Sequence, residues 1–108
     1  MELIYKDIDY RPLIHMTVSV MMIIEKCDKN IKRDKPLEAL YYYHLILRYI
    51  TKFLRLKHGL YEKAEYDLKH IYRDVPREET KQIEKFYNVS AQDIEMTLPE
   101  LEKWIKDL

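Results

Sequence analysis

Residues 36–59 read PLEALYYYHLILRYITKFLRLKHG, with a helix signal at each end. Pro36 suits the first turn of a helix, because its missing N–H is not needed there. Gly59 is the only glycine of the chain. It suits the position just after the last turn, where a left-handed backbone carries little penalty. These two residues predict one continuous helix over about 36–58.

Apolar residues run nearly all the way round this central helix. They form two faces, which consist of Leu37, Leu40, Leu47 and Leu54, and of Ala39, Tyr43, Ile46, Ile50 and Phe53. A helix that is apolar over most of its circumference has to be surrounded by protein. We therefore expect an all-α fold, a four- to five-helix up-and-down bundle around the central helix, with apolar surface left over for a partner.

Other segments of the chain also have helical spacing. A first helix is predicted over about 11–30, where apolar residues recur at three- and four-residue steps. Its β-branched middle makes a strand the competing interpretation, although the length favours a helix. A third helix is predicted over about 61–73, ended by Val75-Pro76, and a charged fourth helix over about 77–87.

The last helix has two possible start signals. Thr97 and Glu100 fit a capping box, in which each side chain bonds the other residue's backbone N–H. Residues 90–93 form a second cap that is expected to open a short turn around Ile94. We expect the final helix to begin at Thr97.

The composition bounds the class of protein. A chain of 108 residues with 47% hydrophobic residues predicts one globular domain over residues 1–108. Basic and acidic residues number 19 each, which argues against a protein that wraps nucleic acid. Residues 1–9 are acidic and mixed rather than a secretion signal, so a cytoplasmic location is expected. Scarce glycine with abundant Lys, Glu, Ile and Tyr resembles proteins of heat-loving organisms.

No residues form a recognisable catalytic or metal-binding set. Cys27 is the only cysteine and is expected to be a small buried apolar residue. His44 and His58 lie fourteen residues apart on the central helix, about 21 Å, so they cannot share a metal. His44 is expected to be a hydrogen-bonded core histidine, and His58 a favourable cation at the helix C-terminus. We therefore predict no catalytic residue, no metal, no cofactor and no enzyme activity.

A basic cluster occupies the second half of the central helix. Its members are Arg48, Lys52, Arg55 and Lys57. Together with neighbouring tyrosines they make possible contacts to nucleic acid or a nucleotide. The alternative, which we favour, is that they complement the helix dipole and form a solvated edge.

Three consecutive tyrosines stand out among the ten in the chain. Side chains of three neighbours on a helix spread over roughly 200°, so at least one of them must face away from the core. Tyrosine combines a large apolar ring with a polar tip and is enriched at interfaces. We therefore predict an interface at Tyr41, Tyr42, Tyr43, Leu45 and Tyr49, used for a homodimer or a protein partner.

The order of these segments resembles the HEPN superfamily (higher eukaryotes and prokaryotes nucleotide-binding domains), small helical bundles often encoded beside a minimal nucleotidyltransferase. The likeness is clearest over residues 37–72. The long helix is followed by Tyr66-Asp67-Leu68-Lys69-His70-Ile71, where members commonly show a His-Asp-Leu-like sequence. A charged helix ending in Phe86-Tyr87 and a final amphipathic helix complete the pattern.

The chain departs from the ribonucleases of this superfamily in one respect. Those enzymes carry an arginine and a histidine with roughly four to six residues between them. Here, Arg11–His15 and Arg55–His58 are spaced too closely, and Arg48–His58 too widely. The resemblance thus implies a non-nucleolytic dimer that binds a protein such as a nucleotidyltransferase. The alternatives are an RNA- or nucleotide-binding protein, or a degenerate ribonuclease using Arg48 with His44 or Arg55 with His58.

Overall fold

A helical hairpin forms the frame of the structure, a computed structural model that describes residues 11–108, with side chains from His15 onward. Helix α1 spans Arg11–Lys32 and helix α2 spans Pro36–Lys57. The turn between them places Asp34 at φ 56° and returns the Lys35 N–H to the Asn30 carbonyl at 2.9 Å. Residues 1–9, on which the expectation about secretion signals rests, lie outside the described residues.

The predicted limits of α2 are confirmed. Pro36 occupies the first turn, and Gly59 follows the helix with φ 78°. The N–H of Leu60 bonds the Arg55 carbonyl at 2.8 Å, and the Gly59 N–H bonds the Leu56 carbonyl at 3.0 Å. This pair of bonds is the Schellman arrangement, which satisfies carbonyls at a helix end. No atom lies within 4 Å of a Cβ built at Gly59, so its dihedral angle alone favours glycine there.

Shorter elements complete the fold. After α2 come a 3₁₀ helix, α3, α4, a second 3₁₀ helix and α5, which span Tyr61–Tyr66, Ile71–Asp74, Arg77–Tyr87, Ala91–Asp93 and Ile94–Asp107. No strand occurs among residues 11–108, so the all-α prediction is confirmed. None of the helices in this part of the chain is long and apolar enough to cross a bilayer.

The prediction of a single third helix over 61–73 is wrong. The backbone breaks between the 3₁₀ helix and α3, where Asp67 and His70 have φ values of 54° and 62°. The buried Arg55 guanidinium donates to the backbone carbonyls of Asp67 and Lys69 at this break. These carbonyls are thereby satisfied outside any helix.

The predicted start of the last helix at Thr97 is also wrong. Helix α5 begins three residues earlier at Ile94, and Pro99 lies inside it. The Thr97 hydroxyl donates to the Asp93 carbonyl at 2.8 Å, one turn back, instead of capping Glu100. The other signal, at residues 90–93, coincides with the 3₁₀ helix that leads directly into α5. The Ser90 hydroxyl donates to the Asp93 carboxylate at 2.8 Å and caps no backbone N–H.

The core is arranged around α2. Its buried apolar side chains come from four helices and include Val20 and Cys27 of α1, Tyr43, Ile46, Leu47 and Leu54 of α2, Ile83 and Phe86 of α4, and Ile94, Leu98 and Leu101 of α5. The Cys27 thiol is fully buried, as predicted, with Sγ 3.4 Å from the Ala39 carbonyl oxygen. The apolar circumference of α2 predicted this arrangement, in which the other helices pack around it.

Candidate functional site

The three consecutive tyrosines point in three different directions, as helical geometry requires. Tyr41 is 60% exposed, Tyr42 is half-buried, and Tyr43 is completely buried. The Tyr43 hydroxyl donates to the backbone carbonyl of Phe86, at the end of α4. Tyr43 belongs to the core of its own chain, so its assignment to an intermolecular interface is wrong.

The other predicted interface residues do not share one surface. Tyr41 and the half-buried Leu45 lie one turn apart on α2, and Leu37, 77% exposed, lies one turn before Tyr41. We name Leu37, Tyr41 and Leu45 the tyrosine stripe. Tyr42 turns toward α1, where the Lys26 ammonium lies 5.9 Å from its ring, and Tyr49 lies on yet another side of α2. Leu37 was missed as an interface residue, although its four-residue spacing from Tyr41 was the available signal.

An apolar groove of about 760 Å³ runs between α1, α2 and α5. Its apolar lining comes from all three helices and comprises Met16, Val20, Met21, Ile24, Tyr49, Ile50, Phe53, Ile105 and Leu108. Glu25, Asp28 and Glu102 also line it, together with Lys106. The groove is therefore an apolar channel with a mainly acidic edge.

A second apolar surface adjoins the groove on the solvent side of α1 and shares Met21 with it. Val18, Met21 and Met22 are 54%, 63% and 55% exposed, and we name them the α1 outer face. Their spacing of three and four residues places them together, opposite the buried Met16, Val20 and Cys27. Sequence reasoning missed this surface because it treated the apolar residues of α1 as a single inner face.

The basic cluster of α2 is neutralised within the chain. Arg48 pairs with Asp67 at 3.3 Å, Lys52 with Glu65 at 2.6 Å, and Lys57 with Glu79 at 3.6 Å. Glu65 and Asp67 come from the chain just after α2, and Glu79 comes from α4. The cluster is thus a series of ion pairs rather than an open basic surface.

Arg55 differs from the rest of this cluster because it is completely buried. Its Nε lies 3.1 Å from Asp74 Oδ2, and its two remaining nitrogens donate to backbone carbonyls. Burial of the Asp74 carboxyl opposes its ionisation, but hydrogen bonds from Arg55 and Arg73 and the nearby Lys63 charge lower its pKa overall. Arg55 cannot contact a nucleic acid, and the assignment of such a contact to it is wrong.

His44 of α2 and His58, which directly follows that helix, do not form the arginine–histidine pairs named in the sequence analysis. His44 is exposed, not in the core as expected, and stacks on Tyr87 at 5.9 Å between ring centroids. Arg48, one turn from His44, is engaged by Asp67. His58 cannot act with Arg55, since that guanidinium is sealed inside the protein.

His58 instead belongs to a cleft at the C-terminal end of α2. His58 Nε2 lies 2.6 Å from Glu79 Oε1, and the cleft beyond it has a volume of about 570 Å³. Four basic residues, His58, Lys63, Arg73 and Arg77, line this basic cleft together with Tyr72 and Asp74. Sequence reasoning missed the cleft because its residues are spread over twenty positions of the chain.

The described residues also bear on metal binding. Within residues 15–108, no three histidine, cysteine or carboxylate side chains come together in a way that could hold a metal ion. The acidic edge of the groove is no exception.

Comparisons with known proteins do not indicate a function for this chain. No family model, no curated protein and no solved structure matches the chain. The surfaces defined above therefore carry the functional interpretation.

Proposed function

We propose that this protein is a non-catalytic, HEPN-like helical interaction module that forms a homodimer through the apolar groove and the α1 outer face. One observation carries the proposal: three large apolar side chains, Val18, Met21 and Met22, stand on the solvent side of a helix beside an apolar groove. Exposed apolar surface of this extent is typical of interaction sites. Methionine is enriched at such interfaces, where its flexible side chain adapts to a partner.

A second copy of the chain suits this surface because both halves of the contact lie on the same helix. In a two-fold dimer, the outer face of each copy can enter the groove of the other, which is the self-complementary arrangement that symmetry requires. The charges favour the same arrangement. Exposed Lys26 and Lys29 lie beside the outer face of α1, Glu25 lies between that face and the groove, and Asp28 and Glu102 edge the groove.

The tyrosine stripe provides a separate surface for a protein partner. Leu37 and Tyr41 are both largely exposed on α2, away from the groove. An exposed Leu–Tyr pair at four-residue spacing is typical of a helix that docks against another protein. The resemblance to HEPN modules supports a minimal nucleotidyltransferase as this partner.

The dimer is tested by light scattering after gel filtration, over a range of protein concentrations. The wild-type protein is expected to have twice the mass of the chain. Met21→Glu places a charge in the contact and is expected to give a monomer with unchanged helix content. Met96→Glu is the matched control, because Met96 is 80% exposed on α5 and does not line the groove. A wild-type monomer at high micromolar concentration, or dissociation by both variants alike, would refute the dimer.

The partner is tested separately by co-purification of the tagged protein with a minimal nucleotidyltransferase from the same organism. Tyr41→Ala is expected to abolish co-purification without changing the oligomeric state. Tyr61→Ala is its control, since Tyr61 is an exposed tyrosine on the 3₁₀ helix. Retention of the partner by Tyr41→Ala would remove the tyrosine stripe from the proposal.

A further inference from the structure

The basic cleft carries more positive charge than its own carboxylates can offset. Among the described residues that line it, Lys63, Arg73 and Arg77 carry a permanent positive charge, and Asp74 is the one carboxylate. Asp74 is itself shared, since Arg55 lies 3.1 Å from one of its oxygens, and Arg73 and Lys63 lie 3.3 and 3.8 Å from the other. The buried Arg55 by itself balances the Asp74 charge, which leaves Lys63 and Arg73 as an excess.

The wider ion-pair network leads to the same result. Lys57 and Arg77 are paired with Glu79 and Glu84, at 3.6 and 2.8 Å. The network therefore contains five permanent cations, from Lys57, Arg55, Lys63, Arg73 and Arg77, against three carboxylates. An uncompensated excess of cations inside a concave surface concentrates positive potential and attracts anions.

The two uncompensated cations, Lys63 and Arg73, lie close enough together to bind the same anion. Lys63 Nζ and Arg73 Nε both lie within 4 Å of the same Asp74 oxygen, while their side chains remain 38% and 59% exposed. A bound anion can therefore reach both of them from the solvent side. His58 is bound to Glu79 through Nε2 only, which leaves its second ring nitrogen for a ligand.

We propose that the basic cleft binds the phosphate group of a small phosphorylated ligand. Arginine and lysine together suit phosphate, since guanidinium supplies a fork of donors and ammonium a point charge. Helix α4 begins at Arg77, on the edge of the cleft, and the positive end of its dipole adds to the same potential. This site is separate from the groove and from the tyrosine stripe.

The position of Tyr72 bears on whether the phosphate belongs to a nucleotide or to an inorganic phosphate. Its ring is largely exposed, and the Arg77 guanidinium lies 5.8 Å from the ring centroid. The Tyr72 hydroxyl donates to Glu84 at 2.8 Å, and this contact fixes the ring at the edge of the cleft. A fixed aromatic ring beside phosphate-binding cations can stack on a nucleobase. Inorganic polyphosphates would use the cations alone.

The test is calorimetric titration with pyrophosphate and with adenosine diphosphate at low ionic strength. Arg73→Gln and Arg77→Gln are each expected to weaken binding of both probes about tenfold, the cost of one charge-assisted hydrogen bond. Arg77→Gln leaves Asp74 untouched, so it tests the site even if Arg73→Gln unfolds. Arg33→Gln, an exposed arginine in the α1–α2 turn, is the control and is expected to change the affinity less than about twofold.

Comparison of pyrophosphate with adenosine diphosphate shows whether the cleft binds inorganic phosphates or nucleotides. Equal affinities that are insensitive to Tyr72→Ala indicate a site for inorganic phosphates. Tighter binding of the nucleotide, with the difference removed by Tyr72→Ala, indicates a nucleotide site. The absence of binding by either probe, or equal weakening by Arg33→Gln and the cleft variants, would overturn the proposal. Since no outcome depends on dimerisation, this result is independent of the function proposed above.

Discussion

Arg55 of α2 and Asp74 of α3 form an ion pair with a distance of 3.1 Å between Nε and Oδ2, and their side chains are 0% and 2% exposed. Because both charges are out of contact with water, each depends on the other and on nearby polar groups. Arg55 also donates to the carbonyls of Asp67 and Lys69. The pair therefore connects the end of α2 to a stretch of chain that has little regular structure of its own.

Asp74→Asn is expected to lower the free energy of unfolding by about 3–5 kcal/mol, because it leaves a buried guanidinium without its counter-ion. The matched control is Asp28→Asn, which breaks an exposed pair with Lys32 and is expected to cost less than about 1 kcal/mol. Urea unfolding followed by circular dichroism measures both. Equal losses in the two variants would show that burial of the Arg55–Asp74 pair has no special weight.

The Asp74 pair also predicts how stability depends on pH. The folded protein lowers the pKa of this carboxyl from its ordinary value of 3.8. Its contribution to stability is therefore complete above that value and is lost as the pH falls through the lower pKa of the folded state. Urea unfolding at a series of pH values from about 5 down to about 2 should show this acid loss. The loss should be smaller in Asp74→Asn and undiminished in Asp28→Asn; identical pH profiles would contradict the assignment.

Tyr43→Phe is expected to destabilise the protein by about 1–2 kcal/mol. The variant keeps the ring but removes the hydroxyl that donates to the Phe86 carbonyl. That carbonyl belongs to the last turn of α4, where carbonyls lack partners within the helix. Tyr41→Phe removes the hydroxyl of an exposed neighbour and is expected to change stability by less than about 0.5 kcal/mol. Thermal or urea unfolding of the two variants decides the matter, and a larger effect at Tyr41 would be inconsistent with the structure.

The Cys27 thiol is expected to resist modification in the folded protein. Its burial, with a smaller contribution from the Asp28 charge, raises its pKa to about 11, so the reactive thiolate is scarce near pH 8. Reaction with a disulfide reagent such as dithionitrobenzoate should be slow in buffer and fast in concentrated urea. Fast reaction of the native protein would mean that the region around Cys27 and Ala39 opens readily.

Elements with strong end signals could be predicted from the sequence. Pro36 and Gly59 gave α2 to within one residue, and Val75-Pro76 gave the end of α3 at Asp74, because proline and glycine limit where a helix can begin or end. The start of α5 failed for a local reason. Two start signals competed, and α5 follows directly on the earlier one, at residues 90–93, despite Pro99 inside the helix.

The break at residues 67–70 and the state of the basic cluster could not be predicted in the same way. Both depend on contacts between residues twelve to nineteen positions apart, such as Arg55 with the Lys69 carbonyl and Arg48 with Asp67. Helical spacing shows which residues share a face, but it does not show which carboxylates a later segment brings to that face. The same limitation explains why the basic cleft, assembled from residues 58 to 77, was missed.

The dependence of residues 67–74 on Arg55 has a dynamic consequence. Amide protons in this stretch and at the end of α2 should exchange with solvent as one cooperative unit, because loss of the Arg55 contacts frees all of them together. Arg73 and Tyr72 are carried by this stretch, and Lys63 lies on the 3₁₀ helix just before it. A single local opening would thus scatter the cations of the basic cleft while the α1–α2 hairpin stays folded.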